Sequence, residues 1–266
     1  MYYLFGFYFF ILGAVFGSFL SCLAWRFYSE KNVWPASRCD FCGRKLSWFE
    51  NIPVLSYLLL KGKCSACRKK INWQYFAAEL FGGLLFAAAF FVFFGNNQYF
   101  FSILPSSSEW QQLIFSLLAL TVLLFVMIYD GRYYLVSLPF VIGASLIFYI
   151  FNLFLGVQWF WPLISGAIGG AFFLIQYLLT KRKGIGEGDI YLGILLGFIF
   201  PELSNLFLFA AIFISYLIGA LFGLFLIVIR QKKLGSALPL GFFLALGGMI
   251  TILFGSDIVS WYLGWL

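Results

Sequence analysis

Residues 184 to 200 read Gly184-Ile185-Gly186-Glu187-Gly188-Asp189, then Ile190-Tyr191-Leu192-Gly193-Ile194-Leu195-Leu196-Gly197-Phe198-Ile199-Phe200. Three glycines and two carboxylates run straight into eleven residues without a charge. A carboxylate at the edge of so apolar a segment is costly and points to a task. The segment itself reads as a helix that begins at Asp189 and passes into hydrocarbon.

The rest of the chain has the same character. Of its 266 residues 63% are hydrophobic, 23% aromatic and only 10% charged, against about 25% charged in soluble domains. The expected fold is all-α: a polytopic membrane protein of about eight transmembrane helices with a cytoplasmic zinc-knuckle loop. Histidine is absent, which excludes His-based triads, HExxH metal sites and imidazole general bases. Carboxylates, thiols, amines and hydroxyls remain to carry chemistry.

Apolar runs fall at Tyr2 to Trp25, Gln74 to Gly95, Leu113 to Tyr129, Leu135 to Gly156, Trp161 to Thr180, Asp189 to Glu202, Asn205 to Ile229 and Ser236 to Gly255. Most approach the 20 or so residues that cross a bilayer; the sixth, ending at the Pro201 turn, is short. The first run has no basic flank before it and no small-residue cleavage site, which argues against a cleaved signal peptide. Residues 26 to 73 hold ten Lys/Arg against Glu30, Asp40 and Glu50, which is the whole net charge of +7; elsewhere seven cations balance seven acids.

Threading the spans alternately from an outside N-terminus also leaves the C-terminus outside. It brings Arg132, the Lys181-Arg182-Lys183 run, and Arg230, Lys232 and Lys233 to the same face as the basic loop. The outer connections, Asn96 to Trp110, Val157 to Phe160 and Pro201 to Ser204, contain no Lys or Arg. By the positive-inside rule that face is cytoplasmic. Its expected partner is the anionic inner leaflet, not nucleic acid. Three small-xxx-small pairs, Gly166 with Gly170, Gly193 with Gly197 and Gly219 with Gly223, suit close helix packing.

The loop contains a repeat. Arg38-Cys39-Asp40-Phe41-Cys42-Gly43-Arg44-Lys45-Leu46-Ser47-Trp48 recurs 25 residues later as Lys63-Cys64-Ser65-Ala66-Cys67-Arg68-Lys69-Lys70-Ile71-Asn72-Trp73. Each CxxC offers two thiolates from one turn, so Cys39, Cys42, Cys64 and Cys67 make the four soft ligands of a structural Zn²⁺. A redox pair or free thiols are the alternatives. Arg44, Lys45, Lys69 and Lys70 would offset the charge of a tetrathiolate centre, and a loop on the reducing face is no place for persistent disulfides. Cys22 reads as a packed apolar residue of the first span.

Four acids lie in or beside the membrane at the inner face: Glu79, Asp130, Glu187 and Asp189. Asp130 ends the third span as it exits, and Asp189 begins the sixth as it enters, so the threading brings both to one depth. Two carboxylates in a site of low dielectric cannot both ionise. The ionised member can take a proton from water while the protonated member hydrogen-bonds a scissile carbonyl, the two roles of peptide hydrolysis. Gly184, Gly186 and Gly188 would let backbone approach an extended substrate. The bland alternative, helix capping, suits Asp189 but not Asp130, which stands at the unfavourable end of its own helix.

These motifs together resemble the type IV prepilin peptidases, leader peptidases and N-methyltransferases among the GxGD intramembrane aspartyl proteases. The resemblance runs through Gly17-Ser18-Phe19-Leu20 with Arg26, the two CxxC knuckles, Asn51-Ile52-Pro53-Val54-Leu55-Ser56-Tyr57, and Gly62-Lys63-Cys64. It continues through Tyr75 with Glu79-Leu80, Asp130, Gly186-Glu187-Gly188-Asp189, and Pro239-Leu240-Gly241. It implies Asp130 and Asp189 as the catalytic pair, with Gly186, Glu187, Gly188 and Glu79 supporting substrate or motif. It implies a bacterial cytoplasmic-membrane enzyme that removes a short, basic, Gly-ending leader from prepilin or pseudopilin precursors at the cytoplasmic face, of the kind used in competence or secretion. The implied organisation is 1–25 as first span, 26–73 as basic loop, and 74–266 as protease core.

Many such enzymes also methylate the new N-terminus from S-adenosylmethionine; no Gly-rich nucleotide fingerprint is present here. Where relatives carry Ile/Leu-Pro-Asp/Asn after the first aspartate this chain reads Val136-Ser137-Leu138, and where they carry Lys after the second it has Tyr191. Ser21 replaces an Asn. The competing function is a proton-coupled transporter with Asp130 and Asp189 as its relay, although transporter sites lie near the midplane. A membrane scaffold with a zinc-knuckle docking loop is another.

Overall fold

A computed structural model describes residues 2–29, 37–39, 41–94, 107–182, 184–201, 205–233 and 236–264. Glu30, Lys31, Asp40, most of the Asn96 to Trp110 connection, Lys183 and the Glu202 to Ser204 part of the Pro201 turn lie outside the described residues. In chain order the helices are α1 Tyr2–Tyr28, α2 Leu55–Leu59, α3 Trp73–Phe94, α4 Ser107–Tyr133, α5 Leu138–Phe154, α6 Phe160–Leu179, α7 Glu187–Ile199, α8 Leu206–Val228 and α9 Leu240–Leu263. Besides helix, the described residues contain a 3-10 turn at Trp48–Asn51 and two isolated antiparallel bridges.

The eight expected spans correspond one for one to α1 and α3 through α9. Six are long and apolar enough to cross a membrane by length and composition; α5 is shorter, and α7 has 13 residues. At 1.5 Å per residue α7 is about 20 Å long, less than the hydrocarbon core of about 30 Å. Pro201, which cannot continue a helix, follows its end. α4 runs one turn past Asp130 to Tyr133, and α9 extends to Leu263, beyond the expected boundary at Gly255.

The chain forms two compact units, Met1–Ile128 and Tyr129–Leu266. In the first, α1 lies along α3 on a seam of small residues: a Cβ at Gly13 or Gly17 would strike the backbone of Gly82 or Ala78. Beyond that seam aromatic rings fill the space, with Phe9 stacked on Phe90 at 5.0 Å and Phe16 against Phe86 at 5.6 Å. Lipid offers no hydrophobic drive for helices to associate, so close backbone approach and ring packing carry this unit.

In the second unit α7 is the central piece, packed against α5, α6, α8 and α9. Its contact with α6 is backbone to backbone. A Cβ at Gly193 would collide with the Gly169 carbonyl, one at Gly169 with the Gly193 carbonyl, and one at Gly197 with the Ser165 carbonyl. Of the expected pairs, Gly193 with Gly197 forms this seam on α7, but Gly169 and Gly170 face it from α6, whereas Gly166 has ordinary contacts. At the far end of α7 the buried Asn152 amide of α5 donates to the Phe198 carbonyl at 2.8 Å, satisfying a group the helix end would leave open. Gly193→Val should push α6 and α7 apart and destabilise the fold by about 1–3 kcal/mol. Thermal unfolding in detergent measures this, with Gly166→Val as the milder control.

Candidate active site and cysteine centre

Asp189 is the third residue of α7, and its Oδ2 accepts the backbone N–H of Gly186 at 3.0 Å, closing the first turn on itself. Acids are favoured at this end of a helix, where unpaired amides give a partial positive charge. Glycine at 186 leaves space beside that carboxylate: a Cβ built there would be 3.5 Å from Asp189 Oδ2. Gly188 is different, since a Cβ there would press into Val136 of the α4–α5 connection. A Leu-Pro pair follows that connection as Leu138-Pro139 and opens α5, Pro in the first turn being preorganised for a helix.

Asp130 has a helix N-terminus too, but not that of its own helix. Its Oδ2 accepts the backbone N–H of Phe242 at 2.8 Å, and the Gly241 amide also donates to the carboxylate. These are unpaired amides of the first turn of α9, which Asp130 caps across 112 residues of sequence. Capping thus has a structural part at both aspartates, including the one whose own helix end disfavours it. Gly241 is required for this contact: a Cβ there would lie 2.9 Å from Asp130 Oδ2 and 2.8 Å from Leu192 Cδ1 of α7. Leu192 is one turn beyond Asp189, so the start of α9 packs against Asp130 and against α7 one turn from Asp189.

Both carboxylates are buried, Asp130 at 5% and Asp189 at 8% exposure, and they interact electrostatically. Around them is polar structure that sequence reasoning missed. Tyr216 of α8 lies within electrostatic reach of Asp189 and donates its hydroxyl to Gln176 Oε1 of α6 at 2.8 Å. Tyr177, next along α6, donates to Glu187 Oε1 at 2.5 Å, which makes Glu187 a bonded member of the α7 N-terminus. Tyr177 and Gln176 sit inside an apolar run and carry no pattern that would mark them. The Pro239-Leu240-Gly241 step was visible, and the affinity of helix N-termini for acids was its clue.

Glu79 belongs to the first unit. Buried on α3, it accepts the N–H of Val54 at 2.7 Å and a hydrogen bond from Ser18. Three of the quoted motifs, those containing Ser18, Val54 and Glu79, therefore meet at one carboxylate.

The cysteine repeat is a structural repeat. In the first knuckle the Cys39 N–H donates to the Arg44 carbonyl and Gly43 N–H to the Cys39 carbonyl, both at 3.0 Å; Cys64 with Lys69 and Arg68 with Cys64 repeat this at 3.0 Å. Both turns need a left-handed residue, supplied by Gly43 at φ 68° and by Arg68 at φ 59°. The four Sγ atoms lie within 4.8 Å of one another, and Cys39 Sγ is 3.9 Å from Cys67 Sγ. Zinc–sulfur bonds of about 2.3 Å in a tetrahedron give sulfur separations of about 3.8 Å, so the four cysteines stand at metal-binding distance. The Cys67 and Ala66 amides donate to Cys64 and lower its thiol pKa, favouring the thiolate that binds metal.

A second contact ties the knuckles together. Arg44 Nη2 meets Glu50 Oε1 at 2.6 Å and Ser65 Oγ at 2.6 Å, and Ser65 in turn donates to Glu50. The Ser65 hydroxyl, the Ser47 amide and the Arg44 guanidinium hold the Glu50 carboxyl down at about 2. A carboxyl lowered on folding stabilises fully above its unfolded value of about 4.3 and loses that effect as pH falls through about 2. The latch is therefore intact across the physiological range. Glu50→Gln should loosen this latch and lower the affinity of the four cysteines for added Zn²⁺ about 10- to 100-fold, the usual loss when a partner around a metal site is removed, as read by competition with a chromophoric chelator.

The chain matches two family models: the Bacterial Peptidase A24 N-terminal domain over residues 11–93 and the Type IV leader peptidase family over residues 117–228. It is similar to a prepilin leader peptidase/N-methyltransferase of Bacillus subtilis (strain 168), with 33% identity over 255 residues and 96% of each chain covered. Proteins of the same description from Pseudomonas putida and Pseudomonas aeruginosa are 32% and 31% identical. Those matches cover 85% and 87% of this chain, and 74% and 76% of theirs. No solved structure matches it.

Proposed function

From the premise that the chain belongs to the type IV leader peptidase family, we propose that it cleaves the leader from prepilin-like precursors with Asp130 and Asp189 as the catalytic pair. The observation that carries this reading is the pair itself: two buried carboxylates of one unit, close enough to interact electrostatically, each held through Oδ2 by a backbone amide at a helix N-terminus. These amides hold each carboxylate in place beside the other for the reaction. The ionised aspartate takes a proton from water as the water attacks the scissile carbonyl, and the protonated one hydrogen-bonds the carbonyl oxygen. The proton then passes to the leaving amine, which becomes the new N-terminus. Neither the family nor the relatives support the transporter alternative.

Residues 1–25 form the first span, 26–73 a basic loop on the cytoplasmic side, and 74–266 the protease core. Both termini lie outside and the aspartates open to the cytoplasm, where a basic leader arrives. Glu187, fixed by Tyr177, and the aspartate pair receive the positive leader. Cys39, Cys42, Cys64 and Cys67 hold a structural Zn²⁺ that cross-links the knuckles, while the exposed lysines lie against anionic inner-leaflet lipid. Glu79 is a positioning residue; Gly186 gives backbone room beside the substrate, and Gly188 supports the motif by letting the start of α7 pack against Val136. N-methyltransferase activity is carried by the relatives' printed names. The described residues contain no strand–glycine loop–helix unit that cradles a nucleoside, so no residue is assigned to S-adenosylmethionine. The reading is tested by co-expressing the chain with a pseudopilin precursor and following leader removal by mass.

A further inference from the structure

The loop carries a feature that peptide cleavage does not use. Leu55, Leu58 and Leu59 stand at i, i+3 and i+4 of α2, on one face, and are 56%, 56% and 80% exposed. This face is held in place from behind. Tyr57, on the same helix, stacks on Phe76 of α3 at 5.0 Å, and the Val54 N–H is tied to Glu79 at 2.7 Å. Val54 takes φ 64°, a strained value for a β-branched residue that persists only where the surroundings enforce it. Just before α2, the 3-10 turn exposes Trp48 at 80% and Phe49 at 51%.

We propose that this face, with Trp48 and Phe49, is inserted into the headgroup layer of the bilayer, making the cysteine loop a membrane-seated platform. Large apolar side chains presented together with Lys61 and Lys63, both exposed, are the composition of segments that lie in an interface. Trp in particular settles at headgroup level, where its ring is apolar and its N–H is wet. Continuity argues for lipid as the occupant: fourteen residues after Leu59 the chain enters α3 at Trp73, itself 66% exposed, and α3 is long and apolar enough to span. The exposed lysines complement anionic headgroups. The inference rests on the reading that the loop lies against the bilayer surface, and adds that the contact is apolar insertion and not charge alone.

The test uses the full chain in nanodiscs of phosphatidylcholine, with and without phosphatidylglycerol, doped with a lipid bearing a carbene precursor near the top of its acyl chain. After illumination, adducts on residues 48–59 should reach about one third or more of those at Leu84, an exposed residue of α3, in both lipids. Combined Leu55→Ser, Leu58→Ser and Leu59→Ser substitutions should lower adducts at 48–59 about ten-fold and leave Leu84 and zinc content unchanged. Absence of adducts at 48–59 while Leu84 is labelled overturns the proposal. So does labelling at 48–59 that appears only when phosphatidylglycerol is present, which marks contact set by charge alone. Equal labelling in both lipids upholds insertion and instead removes the anionic-leaflet reading.

Discussion

Asp130→Asn and Asp189→Asn should each reduce leader removal about 10³-fold or more, within the 10²–10⁴ range set by loss of a positioned acid or base and the upper part expected for a pair acting as a unit. Asparagine is the informative replacement because its side-chain oxygen still accepts from Phe242 or Gly186, so the cap survives while the proton chemistry does not. Alanine removes both and should also lower stability by about 0.5–2 kcal/mol. Mass analysis of a co-expressed precursor gives cleavage, and thermal unfolding gives stability. Asn variants that fold and cleave at the wild-type rate would leave the two acids as caps and end the catalytic reading.

The second large effect concerns the metal. Cys64, buried at 4% exposure, is the knuckle thiol held by two amides. Cys64→Ser should reduce zinc in the purified protein from about one per chain to a trace, because structural zinc sites hold their ion by about 10–16 kcal/mol and a lost thiolate forfeits a large part of it. Loop residues 37–73 should then become sensitive to protease, since the Arg44–Glu50–Ser65 latch alone joins the two turns weakly. Cys22→Ser, in α1, should retain full zinc. Elemental analysis and limited proteolysis report the two outcomes separately, and a metal-free wild-type protein would refute the zinc assignment outright.

Much of this molecule is written in local pattern. Apolar run length located all eight helices to within a few residues at most ends, because hydrocarbon sets the length of whatever crosses it. The 25-residue repeat announced two knuckles, and their matched hydrogen bonds show that spacing of thiols within a tight turn is a local matter. Asp189 as the cap of α7 was legible for the same reason. The boundary of α9 was not: the span reading ended at Gly255, yet the helix continues over Asp257 to Leu263. Helical hydrogen bonding has no need to stop where apolar composition does.

The sequence by itself therefore determined the class of protein, the helices, the four thiols and the two acids. Only the tertiary structure decided what Asp130 is held by, since the Phe242 amide that binds it lies 112 residues away. It likewise decided that Gly169, not Gly166, meets Gly193, and that Tyr177 fixes Glu187. Composition and spacing describe what each helix offers to its surroundings. Which carboxylate satisfies which helix end depends on how the helices pack, and in a membrane that packing follows from the approach of small residues, information that no single segment contains.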